Sequence, residues 1–275
     1  MKITHESLIG TFEQKKALVA GFNLLSDDFF SVVMKDKAAC EYVLSVLLGE
    51  KVKVRQTRTQ YAIRNLTGHS VVLDVLVENS ENKLCNVEIQ VKDNDEHIRR
   101  VRYYQAAIDW SMLEKGTKYE ELPDLYLLYI SRFDIFKQSK CCYEIDRVVK
   151  GTDIVADNGV HEMYFNTTAD DGSALSDMLH YFENSDPNNT KFGALSEAVR
   201  HYKNDERGVS DMCEAVREYG DERAAKAMAD GEIKGKIKTI NEFLKAGMPL
   251  EEVLKISKID EKTYREYMDK YADEE

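Results

Sequence analysis

The feature that most constrains this chain is a pair of apolar, β-branched runs, each of which carries one carboxylate. Residues Val71 to Val77 have the sequence VVLDVLV and residues Leu84 to Val91 have the sequence LCNVEIQV, with the turn-forming residues ENSEN between them. This pattern predicts two neighbouring antiparallel strands joined by a short turn. Because side chains alternate between the two faces of a strand, Glu88 and Gln90 point to the same face.

The length of the turn determines which residues face each other. If residues Ser80–Asn82 form a three-residue loop, Asn79 pairs with Lys83, and counting back along both strands places Asp74 opposite Glu88. The Cα atoms of such a pair are about 5 Å apart. Two carboxylates at this distance raise one pKa or require a cation, and hard oxygen ligands favour Mg2+ or Mn2+ over zinc. An Asp and a Glu here also fit the solvated face of an antiparallel sheet, and spacing alone does not distinguish the two interpretations.

The flanking segments predict an α/β fold with a mixed sheet. A helix between two strands is a crossover connection, which makes neighbouring strands parallel. Glycines end the second and third predicted helices. The predicted helices are Asp27–Lys35, Lys37–Leu48 and Asp95–Lys115, the last with Asp93, Asn94 or Asp95 as its cap. The further predicted strands are Val52–Val54, Tyr61–Leu66 and Leu125–Ser131, with weaker signals at Tyr143–Val149 and Glu162–Phe165.

From about Ser173 onwards the pattern is almost wholly helical. We therefore predict two domains, residues 1–172 and residues 173–275. Ile233–Lys245, Leu250–Ser257 and Asp260–Tyr271 resemble three helices with tight turns, so residues 232–271 are helix-turn-helix-like. The last of these helices is acidic and suits a protein interface better than a DNA groove, which makes a homo-oligomer formed through the C-terminal helices one expectation.

Composition excludes several classes of protein. The net charge of −12 argues against a protein that coats nucleic acid over its whole surface, although it leaves room for a small basic cleft. No apolar run is long enough to span a membrane and the first residues lack a signal sequence, so we expect a cytoplasmic protein. Five cysteines without CxxC spacing predict reduced thiols rather than disulfides or a zinc site.

Basic residues cluster in two places. Lys51, Lys53, Arg55, Arg58 and Arg64 occur without an acidic residue between them, a pattern that fits a phosphate-binding surface or a protected edge strand. On the helix after the second carboxylate, Arg99 and Arg102 share a face and suit phosphate, since guanidinium groups bind its oxygens in pairs. Surface ion pairs with Asp95 or Glu96 are the alternative for these two arginines.

An ordered set of short motifs over about residues 27–165 resembles the PD-(D/E)XK nuclease family transposases, also called Rpn-type recombination-promoting nucleases. The set is more specific than Asp followed by Glu-x-Gln alone. The motifs are Asp27-Asp28-Phe29-Phe30, Leu73-Asp74-Val75, Val87-Glu88-Ile89-Gln90, Arg99-Arg100-Val101-Arg102-Tyr103-Tyr104-Gln105, Leu113-Glu114-Lys115-Gly116 and Phe133-Asp134-Ile135-Phe136.

The resemblance implies a restriction-endonuclease-like αβββαβ core in which Asp74 and Glu88 bind the metal and Gln90 completes the catalytic site. Many relatives carry lysine where this chain has Gln90, and glutamine supplies no positive charge. Lys92 would lie on the same face if the strand continued that far, and Asp28 is a further carboxylate that also fits a helix cap. The function implied is a Mg2+-dependent DNA endonuclease; the alternative is an inactive protein of this fold that binds nucleic acid or a protein partner.

Overall fold

The computed structural model describes residues 10–63 and 70–271, which form two compact units. The first unit extends to Val216 and the second begins at Arg217. The predicted boundary between residues 172 and 173 lies within the first unit and differs from the boundary between the two units. The division into a nuclease-like domain and a helical region stays a prediction. Across the described residues, no helix is both long and apolar enough to cross a membrane.

The first unit is built on a six-stranded mixed sheet with the strand order β1-β2-β3-β4-β6-β5. The pairs β3–β4 and β4–β6 are parallel and the other pairs are antiparallel. The strands are β1 Val54–Ile63, β2 Val71–Asn79, β3 Leu84–Gln90, β4 Leu125–Ser131, β5 Cys142–Ile145 and β6 Val160–Asn166. The predicted mixed sheet is confirmed, but the two extended segments predicted at its start are one strand, and Arg64 and Leu66 lie outside the described residues.

Helices precede, interrupt and follow the strands. The helices are α1 Phe12–Ala20, α2 Asp27–Val33, α3 Lys37–Leu48, α4 His97–Met112, α5 Ala174–Asn184, α6 Gly193–Asn204, α7 Glu206–Lys245, α8 Leu250–Ser257 and α9 Glu261–Tyr271, with a short 3-10 helix at Tyr119–Glu121. The order of α3, β1 to β3, α4 and β4 confirms the predicted αβββαβ core. Gly49 ends α3 at a φ of 66°, a left-handed conformation that glycine adopts without strain.

Helix α4 begins later than its sequence pattern predicts. Asp95 has a φ of 58°, which interrupts the helical backbone, and Glu96 takes the cap position without a side-chain cap bond. Asp93 instead bonds to His97. The expectation that Asp93, Asn94 or Asp95 caps this helix is therefore wrong.

Each face of the sheet is covered by helices. On one face, Val101, Tyr104 and Ile108 of α4 pack against apolar side chains of the strands, including Leu73 and Leu127. On the other face, helix α3 places Cys40 near Thr57 and Cys85. Helix α4 therefore lies over the face to which Glu88 points.

The second unit has a small apolar core of its own. Ile237 and Ile240 of α7 pack with Val253 and Leu254 of α8 and with Tyr264 of α9. The segment predicted as a helix from Ile233 is the last part of the much longer α7. The predicted helices that follow it are confirmed, whereas a helix-turn-helix function for them stays a prediction.

Candidate active site

The hairpin of β2 and β3 places Asp74 and Glu88 side by side. Val75 pairs with Val87 and Val77 with Cys85, the register that was counted from the turn. The amide of Asn79 also donates to the carbonyl of Lys83 at 3.0 Å. By this register Asp74 lies opposite Glu88, and the predicted adjacency of the two strands is confirmed.

The two carboxylates form hydrogen bonds with the backbone across the strands. The Asp74 amide donates to Glu88 Oε1 at 3.2 Å, and the Ile89 amide donates to Asp74 Oδ2 at 2.9 Å. The backbone pairing of β2 with β3 ends at Val75 and Val87. Beyond this pair, the carboxylate oxygens of Asp74 and Glu88 accept the amide hydrogen bonds that carbonyl oxygens accept within the sheet. This exchange holds both carboxylates in the sheet and fixes their direction.

Burial dominates the electrostatics of this acidic pair. Glu88 is only 4% exposed, and burial followed by the charge of Asp74 raises its pKa well above the ordinary value. Burial also raises the pKa of Asp74 from 3.8 to about 7. Both shifts mean that the ionised pair is costly in this environment unless a positive charge compensates it.

A second acidic pair approaches from the start of helix α2. The charges of Asp27 and Asp28 both raise the pKa of Asp74. Ser26 occupies the cap position, so Asp27 and Asp28 are in the first turn, where the helix dipole favours negative charge. The structure thus brings the predicted additional carboxylate of Asp28 towards the site, and a metal-binding role for it stays a prediction.

The arginine at the site is Arg100. Its Nε donates to the Tyr104 hydroxyl at 2.7 Å and its Nη1 to Gln90 Oε1 at 3.3 Å. The charge of Arg100 also lowers the pKa values of Asp74 and Glu88. The sequence pattern singles out Arg99 and Arg102 rather than Arg100. The position of Arg100 beside the apolar face of Val101, Tyr104 and Ile108 is the signal that could have identified it.

Lys92 does not have the position that strand alternation would give it. Strand β3 ends at Gln90 and is followed by a bend. In this bend the side-chain Nε2 of Gln90 donates to the backbone carbonyl of Lys92 at 2.7 Å. Alternation therefore does not carry the Lys92 side chain to the site face, which corrects that expectation. The Lys92 residue is exposed.

Arg99 and Arg102 lie on the exposed side of α4. In the described parts of the chain, neither side chain forms a hydrogen bond or an ion pair, so the alternative of surface ion pairs with Asp95 or Glu96 is not what the structure has. Their predicted role in phosphate binding stays a prediction. It would require substrate to reach the outer side of α4.

A hydrogen-bonded chain runs from the exposed Asp93 to the buried Tyr129. Asp93 Oδ1 is 3.0 Å from His97 Nε2, and His97 Nδ1 is 2.9 Å from the Tyr129 hydroxyl. The charge of Glu88 contributes to the raised pKa of Tyr129, which places Tyr129 near the acidic pair. His97 is buried, and no motif spacing in the sequence indicates these partners.

The donor set of the acidic pair fits a hard divalent cation. Among the residues described there is no group of three His, Cys, Asp or Glu side chains that could hold a metal. Two carboxylates are nevertheless what Mg2+ commonly takes from a protein, since water and substrate phosphate complete its octahedral shell. A cation would also offset the cost of burying the two charges, which is the main cause of both raised pKa values.

An acidic pair on a β-hairpin beneath a crossover helix, within an αβββαβ core, defines the class of PD-(D/E)XK nuclease-like domains. Residues 33–154 match the family model described as PD-(D/E)XK nuclease family transposase. Neither a curated protein nor a solved structure matches the chain. The family match supports a nuclease-type function.

Proposed function

We propose that this protein is a Mg2+- or Mn2+-dependent DNA endonuclease of the recombination-promoting, transposase-associated type. The observation that carries the proposal is the acidic pair itself. Asp74 and Glu88 are held by backbone amides at 2.9 and 3.2 Å, while burial raises the pKa values of both and the charge of Asp74 further raises the pKa of Glu88. If the two carboxylates were at the surface, water would screen the repulsion between them. Retention of a like-charged pair in which Glu88 is buried and Asp74 is half-buried is more easily explained by function.

Asp74 and Glu88 would hold the metal, with Asp28 as a further carboxylate near the same position. When bound, the metal supplies Lewis-acid stabilisation of charge on the phosphate and lowers the pKa of a bound water. The protein's own contribution is to orient two oxygen ligands and to exclude water from Glu88. Gln90 would orient water or phosphate with the second hydrogen of its side-chain nitrogen, because the first is donated to the Lys92 carbonyl and the side-chain oxygen accepts from Arg100.

Arg100 would supply the positive charge that Gln90 lacks. Its guanidinium bonds to Gln90 and its charge acts on both carboxyl groups. A planar guanidinium with several donors fits the oxygens of a phosphodiester. The replacement of lysine by glutamine on β3 is thus compensated by a residue on α4.

An inactive nuclease-fold protein that binds nucleic acid or a partner is the rival function. The observation that favours it is the neutral Gln90 in the position where relatives carry lysine. RNA is a third candidate substrate, since the sequence has no recognisable module that reads a 2'-hydroxyl. Cytoplasmic location and oligomerisation through the C-terminal helices stay predictions.

The test is a plasmid-cleavage assay with Mg2+, Mn2+ or EDTA, on wild type and on Asp74→Ala, Glu88→Ala and Gln90→Lys. We expect cleavage only with metal, its loss in both alanine variants without unfolding, and retained or increased activity in Gln90→Lys. Loss of activity in Gln90→Lys would show that the amide itself is needed. If wild type cleaves no form of DNA while both alanine variants are at least as stable as wild type, the rival function is correct.

A further inference from the structure

The outward side of helix α4 has a surface that the acidic pair does not use. At 3.6 residues per turn, residues 99, 102, 103, 106 and 110 lie within about 100° of one another, opposite the side that packs on the sheet. We call this set the outer stripe; it consists of Arg99, Arg102, Tyr103, Ala106 and Trp110.

Two aromatic side chains of the outer stripe are exposed to solvent. Trp110 is 67% exposed and Tyr103 is 39% exposed. Aromatic side chains of this size are usually buried, and an exposed group of them marks a binding surface. Trp110 is also the only tryptophan in the sequence, so its fluorescence reports on this surface alone.

The charge of the outer stripe is complementary to a polyanion. In the described residues, the guanidinium groups of Arg99 and Arg102 have neither an ion pair nor a hydrogen bond. The acidic residues Asp95 and Glu96 precede the stripe at the start of the helix and limit it on that side. A bound polyanion is therefore expected to run from the arginines towards Trp110, which is about 12 Å along the helix from Arg102, a span of several nucleotides at 3.4 Å per stacked nucleotide.

We propose that the outer stripe binds a single strand of DNA, with its phosphates on Arg99 and Arg102 and an unpaired base stacked on Trp110. Both faces of a base inside a duplex are covered by its neighbours, whereas an unpaired base offers a face to an exposed aromatic ring. This inference rests on the proposed nuclease function and specifies the form of its substrate.

The fluorescence of Trp110 tests the proposal without catalysis. In EDTA, where no cleavage is expected, a single-stranded oligonucleotide should quench the fluorescence and added salt should reverse the quenching. The duplex of the same sequence should leave the fluorescence unchanged. Equal quenching by the duplex would overturn the assignment to a single strand, and no quenching by the single strand would overturn the binding surface, leaving the stripe as a contact for a protein.

Variants separate the two kinds of contact. By anisotropy of a labelled oligonucleotide, Trp110→Ala should weaken binding about 5- to 150-fold, the range for loss of one stacked base. Tyr119→Ala is the matched control, because Tyr119 is 83% exposed but lies outside the stripe. The double variant Arg99→Ala/Arg102→Ala should reduce the slope of log affinity against log salt by about 1.4, while Arg207→Ala leaves it unchanged.

The outcomes also distinguish this proposal from the nuclease assignment. If wild type cleaves DNA with Mg2+ but the stripe variants bind like their controls, only the outer stripe is wrong. If the single strand quenches Trp110 while no DNA is cleaved under any condition, the binding surface stands and the enzyme assignment fails.

Discussion

The chemistry of single residues at the site is governed by the burial of like charges. Asp74 and Glu88 each accept a backbone hydrogen bond, yet these bonds do not offset the raised pKa values that burial produces. The charge of Arg100 lowers both pKa values but does not cancel the effect of burial, and a buried carboxylate whose charge is not fully compensated is costly. The metal-free protein should therefore be strained at neutral pH, and a bound cation should relieve it.

The pH dependence of stability tests this strain through Asp74. Burial raises the pKa of Asp74 from 3.8 to about 7, so the folded state binds this proton more tightly than the unfolded state. In EDTA, stability should fall as pH rises from about 4 to 7, by about 2–4 kcal/mol from this group. Urea unfolding measures this dependence. Asp74→Asn should remove the fall that this group causes, and Mg2+ should reduce the fall in wild type. The control variant Asp153→Asn, at an exposed site, should behave like wild type. Parallel curves for wild type and Asp74→Asn would contradict the buried-pair interpretation.

A second prediction at this scale concerns Arg100. If its guanidinium stabilises charge on the phosphate, Arg100→Ala should lower kcat about 100- to 1000-fold, the usual effect of losing one such donor. Arg100→Lys should retain part of the activity because the charge remains while the paired donors are lost. Steady-state cleavage by these variants and by the control Arg207→Ala measures the effect; wild-type kcat in Arg100→Ala would remove Arg100 from the site.

Among the elements of the fold, the β2–β3 hairpin determines whether the acidic pair exists. A shift of one residue in its register would turn Asp74 to the opposite face of the sheet from Glu88. Asn79 holds the turn: its Oδ1 accepts from the amides of Glu81 and Lys83, both at 2.9 Å. The side chain that secures the register is thus remote from the chemistry.

Asn79→Ala should destabilise the protein by about 1–2 kcal/mol, because two backbone donors lose their shared acceptor. Cleavage should fall with it, since the turn sets the register of Asp74 and Glu88. Asn79→Asp keeps an acceptor oxygen and should retain most of both. Urea unfolding and cleavage rates measured side by side check this; an alanine variant as stable as wild type would show that the turn does not depend on Asn79.

Over the whole molecule, one buried lysine links helices that are distant in sequence. Lys203 of α6 is only 3% exposed, and its Nζ lies 5.4 Å from the centre of the Phe29 ring in α2. Burial lowers the pKa of Lys203 to about 8, and the charge of Asp186 opposes that shift. The folded state therefore disfavours the charged lysine in spite of its contact with the ring.

Lys203→Met should stabilise the protein at pH 7 by about 1–3 kcal/mol, the cost of the buried charge less its attraction to the Phe29 ring. As pH rises from about 8 towards 10.5, the folded lysine loses its proton before the unfolded one, so wild type should gain stability relative to Lys203→Met. Urea unfolding at pH 7 and pH 10, with the exposed Lys140→Met as control, measures that difference. A constant difference between the two pH values would contradict the shift.

Local patterns in the sequence determined the elements and the acidic pair. The alternation of side chains and the length of a turn both act over a few residues, so the strands β2 and β3, their register and the position of Asp74 opposite Glu88 could be predicted. The helices α2 and α3 and the crossover helix α4 were predicted for the same reason. Their exact ends were not, because the backbone of Asp95 departs from the helical pattern.

Tertiary packing determined the contacts between segments that are distant in sequence. The rotation of α4 on the sheet, set by Val101, Tyr104 and Ile108, brings Arg100 to the acidic pair and leaves Arg99 and Arg102 exposed. The approach of α2 to Asp74 and the chain from Asp93 to Tyr129 depend in the same way on how helices pack. Burial raises the pKa values of the pair. It is a property of the assembled core, so the spacing of residues in the sequence does not predict it.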